Sequence, residues 1–225
     1  MKKLVIFDLD GTLLNTIRDL GTATNYALEV CGYPVHDLES YPYFVGNGVS
    51  RLLERVLPED TRTPANVERL RIKFMDYYGK HNTDSTEPYA GIPELLETLQ
   101  KLGVNVAVAS NKYQSAVDKL IYHYFGGIRW SDVEGQRDEV PVKPDPSIVF
   151  SILNECPTPK AQVLYVGDSG VDMQTATRAA VTSVGVTWGF RTEQELRENH
   201  ADHIAHAPER VLHLALDMLG GLPLS

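Results

Sequence analysis

The stretch LVIFDLDGTLLNT, residues Leu4–Thr16, decides the fold. Its first four residues are an unbroken apolar run, which predicts a central strand covered on both faces. The run ends at Asp8, and a second carboxylate, Asp10, follows two residues later. Gly11 permits a sharp turn, and Thr12 adds a hydroxyl and a backbone N–H before the chain becomes helical. Ligands bind beyond the carboxyl ends of strands in an open parallel sheet, so this turn is a candidate site.

Helices and strands alternate from Pro88 to the end of the chain. This alternation predicts an α/β fold with a doubly wound, Rossmann-like parallel sheet. We expect strands over Val104–Ala109, Trp130–Glu134, Val163–Val166, Ser183–Val186 and His203–Ala205. We expect helices over Ile92–Leu102, Gln114–Tyr124, Pro144–Glu155 and Asp172–Ala180.

The segment between the first strand and Pro88 has a different character. Val49–Leu57 and Ala65–Tyr78 carry apolar residues at helical spacing, as does Ile17–Val30, and no strand pattern interrupts them. An all-helical insertion cannot extend the sheet, so we expect it to cover the crevice. The predicted division is a catalytic core of residues 1–14 and 88–225, with an inserted helical cap of residues 15–87.

Composition and charge limit the functions open to this chain. Its net charge of -9 over 225 residues argues against a nucleic-acid partner, and it disfavours an anionic substrate unless a bound cation reverses the local sign. Cys31 and Cys156 have no metal-ligand spacing, so the cytoplasm is the expected location. No apolar run approaches the roughly 20 residues of a membrane span. Monomer and homodimer both remain open.

Polar side chains recur where the predicted strands end or a helix begins. They are Asp8 and Asp10, Ser110 and Asn111, Lys143, and Asp168 with Ser169 and Asp172. Because these points share one edge of the sheet, the carboxylates would face one another and repel. The natural occupant is Mg²⁺, which binds one or two carboxylates, waters and substrate phosphate oxygens.

One aspartate would remain free to react. A carboxylate that attacks phosphorus gives an aspartyl-phosphate and divides one difficult displacement into two easier ones. Lys143, the Ser110 hydroxyl, and backbone N–H groups near Asn111 and in the turn at Gly11 and Thr12 would bind the transferring phosphoryl group. Asp10 would protonate the leaving alcohol and later activate water.

Each of these residues, taken singly, has an ordinary structural explanation. Ser110 and Asn111 are common helix caps, and a lone lysine such as Lys143 is usually solvated. Asp168 and Asp172 suit a turn followed by a helix start. Their combined placement at one sheet edge is what favours phosphoryl transfer.

The sequence resembles the haloacid dehalogenase superfamily of hydrolases. Four motifs match in order: Asp8-Leu9-Asp10-Gly11-Thr12, Ser110 after an apolar strand, Lys143-Pro144, and Gly167-Asp168-Ser169-x-x-Asp172. The resemblance implies that Asp8 is the nucleophile, Asp10 the general acid and base, and Ser110 and Lys143 the phosphate ligands. It also implies magnesium held by Asp8, the Asp10 backbone carbonyl and Asp168, with Asp172 in support. An acid at Asp10 points to phosphatases, because a leaving halide needs no proton.

The inserted segment narrows the resemblance further. Phe44–Val49, followed by Arg51, is similar to the cap segment of phosphoglycolate phosphatases, and Trp188-Gly189-Phe190, near the last predicted strands, also resembles that group. Gly46, Asn47 and Gly48 would approach a small phosphorylated metabolite, and Arg51 would bind its carboxylate. 2-Phosphoglycolate is the first expected substrate. A hexose-phosphate mutase, a pyrophosphatase or nucleotidase, and a non-catalytic phospho-aspartate receiver are the alternatives.

Overall fold

The computed structural model describes residues 3–138 and 140–217. Its strands are β1 (Leu4–Phe7), β2 (Leu14–Asn15), β3 (Glu87–Pro88), β4 (Asn105–Tyr113), β5 (Asp132–Gln136), β6 (Val163–Gly167), β7 (Thr182–Val186) and β8 (His203–Ala205). Its α-helices are α1 (Ile17–Val30), α2 (Tyr41–Phe44), α3 (Val49–Val56), α4 (Pro64–His81), α5 (Ile92–Lys101), α6 (Gln114–Phe125), α7 (Ser147–Glu155), α8 (Gly170–Ala179), α9 (Glu193–Glu198) and α10 (Pro208–Asp217).

Six of the strands form one parallel sheet in the order β5-β4-β1-β6-β7-β8. β1 lies in the middle, where Phe7 pairs with Val108 of β4 and with Val166 of β6. Val5 and Phe7 belong to one hydrophobic core and Leu4 and Ile6 to another, so both faces of β1 are covered. The predicted doubly wound α/β fold is confirmed.

Helices α1 to α4 lie in the sequence between β2 and β3, which pair with each other in antiparallel fashion. These helices have their own hydrophobic core, with Tyr41, Leu53 and Leu70 fully buried. The carboxylate of Asp19, in the first turn of α1, accepts hydrogen bonds from the N–H groups of Ser85 and Thr86, just before β3. The proposed division into a core and a cap at residues 15–87 stays a prediction.

Some element boundaries differ from those expected. Helix α7 begins at Ser147 rather than Pro144, because Pro146 disfavours helical backbone at Asp145. Strand β4 continues through the polar residues expected to end it, since pairing with β5 resumes at Tyr113 after a register shift. Helix α8 begins at Gly170, two residues early. No helix within the described ranges combines the length and apolarity that crossing a bilayer requires.

Candidate active site

Side chains from β1, β4, β6 and the segment before α7 line one cavity. Asp8 directly follows β1, Ser110 lies in β4, and Asp168 directly follows β6. β1 lies between β4 and β6, so these three positions are neighbours at one edge of the sheet. The segment before α7 brings Lys143 to the same cavity. The structure therefore brings together groups that are up to 160 residues apart in the sequence.

The Asp8 carboxylate has one engaged oxygen and one that no described residue contacts by a hydrogen bond. Its Oδ1 accepts a hydrogen bond of 2.7 Å from the N–H of Leu9 and lies 2.9 Å from Lys143 Nζ. Burial and the charge of Asp172 raise the pKa of Asp8 to about 7, although Lys143 acts in the opposite direction. Its Oδ2 is the atom available to a metal ion or to phosphorus.

Lys143 is a buried cation, with a side chain only 2% exposed, and not a solvated loop lysine. Its Nζ donates to Asp172 Oδ1 at 2.8 Å and to the carbonyl of Ala109 at 2.9 Å. Burial by itself would lower the pKa of Lys143, but the carboxylates of Asp172 and Asp8 raise it well above its ordinary value. The ammonium group therefore keeps its charge beside Asp8.

Asn111 holds the backbone of Lys143 in place. Its Oδ1 accepts from the N–H of Lys143 at 2.8 Å, and its Nδ2 donates to the carbonyl of the same residue at 3.1 Å. The Ser110 hydroxyl also lines the cavity and accepts from the N–H of Lys112 at 3.2 Å. Both residues that the sequence placed near the phosphate lie at the cavity.

Asp172 combines a structural role with its place at the site. It forms a capping box with Ser169, in which Asp172 Oδ2 accepts from the Ser169 N–H at 3.1 Å and from its hydroxyl at 2.6 Å. This box starts α8 at Gly170. The other oxygen, Oδ1, faces Lys143, so the helix-start explanation is correct and the supporting role stays a prediction.

Asp8, Asp168 and Asp172 each place a carboxylate oxygen within 4.8 Å of the others. Asp168 Oδ2 accepts a hydrogen bond of 2.6 Å from the Phe190 N–H, and no hydrogen bond from the described residues reaches Oδ1. Burial and the charges of Asp172 and Asp8 raise the pKa of Asp168 well above its ordinary value. Two buried carboxylates, each with a free oxygen, fit Mg²⁺. Asp172 fits a supporting position, because both of its oxygens are engaged.

The Asp10 side chain lines the same cavity and pairs with Lys112, a residue that sequence reasoning missed. Lys112 Nζ donates to both carboxylate oxygens of Asp10, at 2.8 and 2.9 Å, and the Thr16 hydroxyl donates to Oδ1 at 2.6 Å. The Lys112 side chain is 6% exposed, and its Nζ lies 4.9 Å from the centre of the Tyr78 ring on α4. The available signal was the position of Lys112 directly after Ser110 and Asn111, in the polar stretch that follows the apolar run of β4.

Gly11 and Thr12 shape the turn between the two aspartates and β2. Gly11 has a φ of +84°, and a Cβ there would come within 2.3 Å of Asp168 Oδ2. Glycine is therefore required both by the backbone and by the approach of Asp168. Thr12 is fully buried, and its carbonyl accepts a hydrogen bond of 3.0 Å from Trp188 Nε1.

The cap segment supports only part of the prediction made for it. Gly46 and Gly48 line the cavity, as expected. Asn47 instead accepts a hydrogen bond from Arg55 within the cap, at 2.7 Å. The expectation that Arg51 binds substrate stays a prediction, and in this structure Arg51 pairs with Glu54 and its side chain is 65% exposed. On an amphipathic helix such as α3, the residue falls on the solvent face.

Apolar side chains and one unexpected arginine form the rest of the cavity wall. Leu52, Phe74 and Met75 come from the cap helices, and Phe190 and Arg191 come from the segment between β7 and α9. Arg191 was not foreseen, because its place depends on a contact with the cap about 150 residues earlier. The sequence signal was its position directly after the Trp188-Gly189-Phe190 segment.

Known proteins share this fold over nearly the whole chain. Residues 5–186 match the model of the haloacid dehalogenase-like hydrolase family. Phosphoglycolate phosphatase of Pseudomonas syringae pv. tomato is 32% identical, over 97% of this chain and 81% of that protein. A crystal structure from Lactobacillus delbrueckii subsp. bulgaricus superposes with a TM-score of 0.89 at 31% identity, covering 96% of this chain and 99% of its own. A predicted phosphoglycolate phosphatase from Haemophilus somnus 129PT has a TM-score of 0.87 at 26% identity, with coverage of 95% and 97%.

The fold and the site define a hydrolase built on a doubly wound sheet with a helical insertion. The chain belongs to the haloacid dehalogenase-like hydrolase family. The resemblance seen in the four motifs is thereby confirmed, as is the enzyme class, a phosphoric monoester hydrolase. The receiver alternative is set aside, since such a domain has no hydrolytic activity of its own.

Proposed function

We propose that the protein is a Mg²⁺-dependent phosphatase that hydrolyses a small phosphorylated metabolite, with 2-phosphoglycolate as the first candidate. The observation that carries the proposal is the pairing of a buried Asp8 carboxylate, with one unengaged oxygen, and the buried ammonium of Lys143 at 2.9 Å. A nucleophile and a phosphate-binding cation are therefore adjacent under a cap. The names of the relatives support the choice of substrate.

In the first half-reaction, one carboxylate oxygen of Asp8 attacks phosphorus and the bond to the ester oxygen breaks. The leaving alkoxide takes a proton from Asp10, and the phosphoryl group remains on Asp8 as an aspartyl-phosphate. Lys143 and Ser110 bind the phosphoryl oxygens throughout. Asp8 and Asp168 would hold Mg²⁺, which supplies positive charge to the phosphoryl group when bound.

In the second half-reaction, water attacks the phosphorus of the aspartyl-phosphate. Asp10 accepts the proton of the water, and phosphate leaves while the Asp8 carboxylate is restored. The structure supports a positioned Asp10, because both Asp10 oxygens accept hydrogen bonds from Lys112 and one accepts from Thr16. Lys112 would keep Asp10 oriented between the two steps.

The test is phosphate release from a panel of substrates with and without Mg²⁺. We expect turnover of 2-phosphoglycolate with Mg²⁺, none in EDTA, and none by Asp8→Asn. Glucose 1-phosphate, nucleotides and pyrophosphate cover the alternatives, and conversion of glucose 1-phosphate without phosphate release would identify a mutase. Near wild-type hydrolysis of p-nitrophenyl phosphate by Asp8→Asn would refute the mechanism.

A further inference from the structure

Arg191 connects the core to the cap at the edge of the active-site cavity. It lies between β7 and α9, and its side chain is 15% exposed. Its Nη2 donates to the carbonyl of Val45 at 2.8 Å, and its Nη1 donates to the carbonyl of Pro42. The guanidinium thus reaches the cap loop that carries Gly46 and Gly48 while it lines the same cavity as Asp8.

Arg191 is the cation of the described cavity wall whose charge is least compensated. Lys143 faces Asp8 and Asp172 at 2.9 and 2.8 Å, and Lys112 faces Asp10 at 2.8 Å. The close acceptors of Arg191 are two neutral carbonyls. Its ion-pair partner, Glu195, is 3.5 Å from Nε and partly solvated, and the charge of Arg191 also acts on the Asp168 carboxylate, whose pKa it lowers against the effect of burial. A positive charge therefore remains at this part of the wall.

The Arg191 guanidinium also has hydrogen-bonding capacity left. Arginine carries five N–H donors, and hydrogen bonds to Pro42 and Val45 engage one on each terminal nitrogen, while Nε lies 3.5 Å from the Glu195 carboxylate. Gly46 leaves room beside it, because a Cβ at that position would lie 3.6 Å from Nη2. Two N–H groups of Arg191 are thus available to a ligand, and the neighbouring Gly46 has no side chain to block them.

The position of Arg191 relative to the reacting groups suits the far end of a small substrate. The preceding residue, Phe190, donates its N–H to Asp168, which is a candidate metal ligand. Arg191 therefore directly follows a residue that contacts the candidate metal site. 2-Phosphoglycolate carries its carboxylate one methylene from the ester oxygen. The cap side chains Leu52, Phe74 and Met75 offer that carboxylate no partner, and the hydroxyl of Tyr78, which also lines the cavity, offers no charge.

Building on the proposed function, we propose that Arg191 recognises the carboxylate of 2-phosphoglycolate and so determines specificity for it. The planar guanidinium binds carboxylates through paired N–H groups, which a lysine does not reproduce. A core residue thereby takes the role that the sequence assigned to Arg51 in the cap. The Arg191 side chain would then both bond to the cap and recognise the leaving group.

The test compares two substrates on each variant: 2-phosphoglycolate and ethyl phosphate, which has an uncharged leaving group. For Arg191→Gln we expect kcat/KM to fall about 30- to 100-fold on 2-phosphoglycolate and less than about threefold on ethyl phosphate. Arg191→Lys should lose less on 2-phosphoglycolate. The matched control is Arg197→Gln, an exposed arginine paired with Glu193, which should change neither value. Circular dichroism melts confirm that each variant is folded.

The outcomes that would refute the proposed role of Arg191 differ from the outcome that would refute the proposed substrate. An equal loss on both substrates would show that Arg191 only holds the cap, and it would refute the proposal. A selective loss in Arg51→Gln would assign recognition to the cap instead. Wild-type enzyme that hydrolyses ethyl phosphate but not 2-phosphoglycolate would refute the substrate and, with it, this use of Arg191.

Discussion

Replacing Asp8 by asparagine should abolish turnover and yet stabilise the metal-free protein above neutral pH. Asp8 is buried beside Asp172, and these two effects raise its pKa to about 7 despite the nearby ammonium of Lys143. Without a metal ion, the ionised carboxylate is therefore less favourable in the fold than in the unfolded chain. Asparagine keeps the shape and removes the charge.

The magnitude follows from the pKa of Asp8 in the two states. The pKa rises from 3.8 to about 7 on folding, and each unit is worth about 1.4 kcal/mol, so the ionised form costs about 4 kcal/mol. The folded state binds this proton more tightly, so the wild-type free energy of unfolding decreases as pH rises from about 4 through 7. The advantage of Asp8→Asn should therefore grow from near zero at pH 4 to a few kcal/mol at pH 8.

Urea denaturation in EDTA at pH 4, 6 and 8 measures this difference. Mg²⁺ at saturation should stabilise the wild-type protein and have little effect on Asp8→Asn, because the variant lacks a metal ligand. Asp10→Asn is the matched control two residues away. It should destabilise the protein by about 1–3 kcal/mol, because buried Lys112 loses its carboxylate partner.

Two results would refute this reasoning. In one, Asp8→Asn is no more stable than the wild type at pH 8 in EDTA. In the other, the difference between the two proteins is the same at pH 4 and pH 8. Either result would mean that the fold does not disfavour the ionised Asp8 carboxylate when no metal ion is bound.

Three further substitutions test other parts of the site. Gly11→Ala should lower kcat/KM by about 100-fold or more in steady-state assays, because φ is +84° and a Cβ would collide with Asp168; an active variant would contradict the geometry. Lys112→Met should lower kcat by about 10- to 100-fold with little change in KM, since Asp10 loses its orientation; unchanged kcat would show that Asp10 needs no such support. Asp19→Ala should lower the free energy of unfolding in urea by about 1–3 kcal/mol, because donors before β3 lose their acceptor; a variant as stable as the wild type would rule this out.

The sequence predicted the central strand and the site around it because these depend on local patterns. Leu4–Phe7 is apolar on both faces, and the structure buries both faces of β1. The parallel arrangement then brings the ends of three strands together, so Asp8, Ser110 and Asp168 could be placed at one edge before any coordinates were known. Lys143 could be assigned to the site only because Lys143-Pro144 matches one of the four motifs that occur in order along the chain.

Boundaries and partners were harder to predict because they depend on contacts across the fold. The start of α8 was missed by two residues, since the reciprocal bonds between Ser169 and Asp172 set it. No local pattern distinguishes Lys112, because its partner Asp10 lies 102 residues earlier in the chain. Arg51 was chosen from a motif, and the motif contains no information about which face of α3 points to solvent.

Asn111 shows how a side chain assigned to the phosphate can also be part of the framework. Its amide oxygen accepts from the backbone N–H of Lys143, and its Nδ2 donates to the carbonyl of Lys143 and, at 3.3 Å, to that of Gly46 in the cap. Its amide therefore joins the backbone of Lys143 to the cap loop. With Arg191 bonded to Val45 in the same loop, two core residues hold the cap segment over Asp8. The amide of Asn111 thus takes part both in holding the cap loop and in positioning the backbone of Lys143, which carries the ammonium group of the cavity.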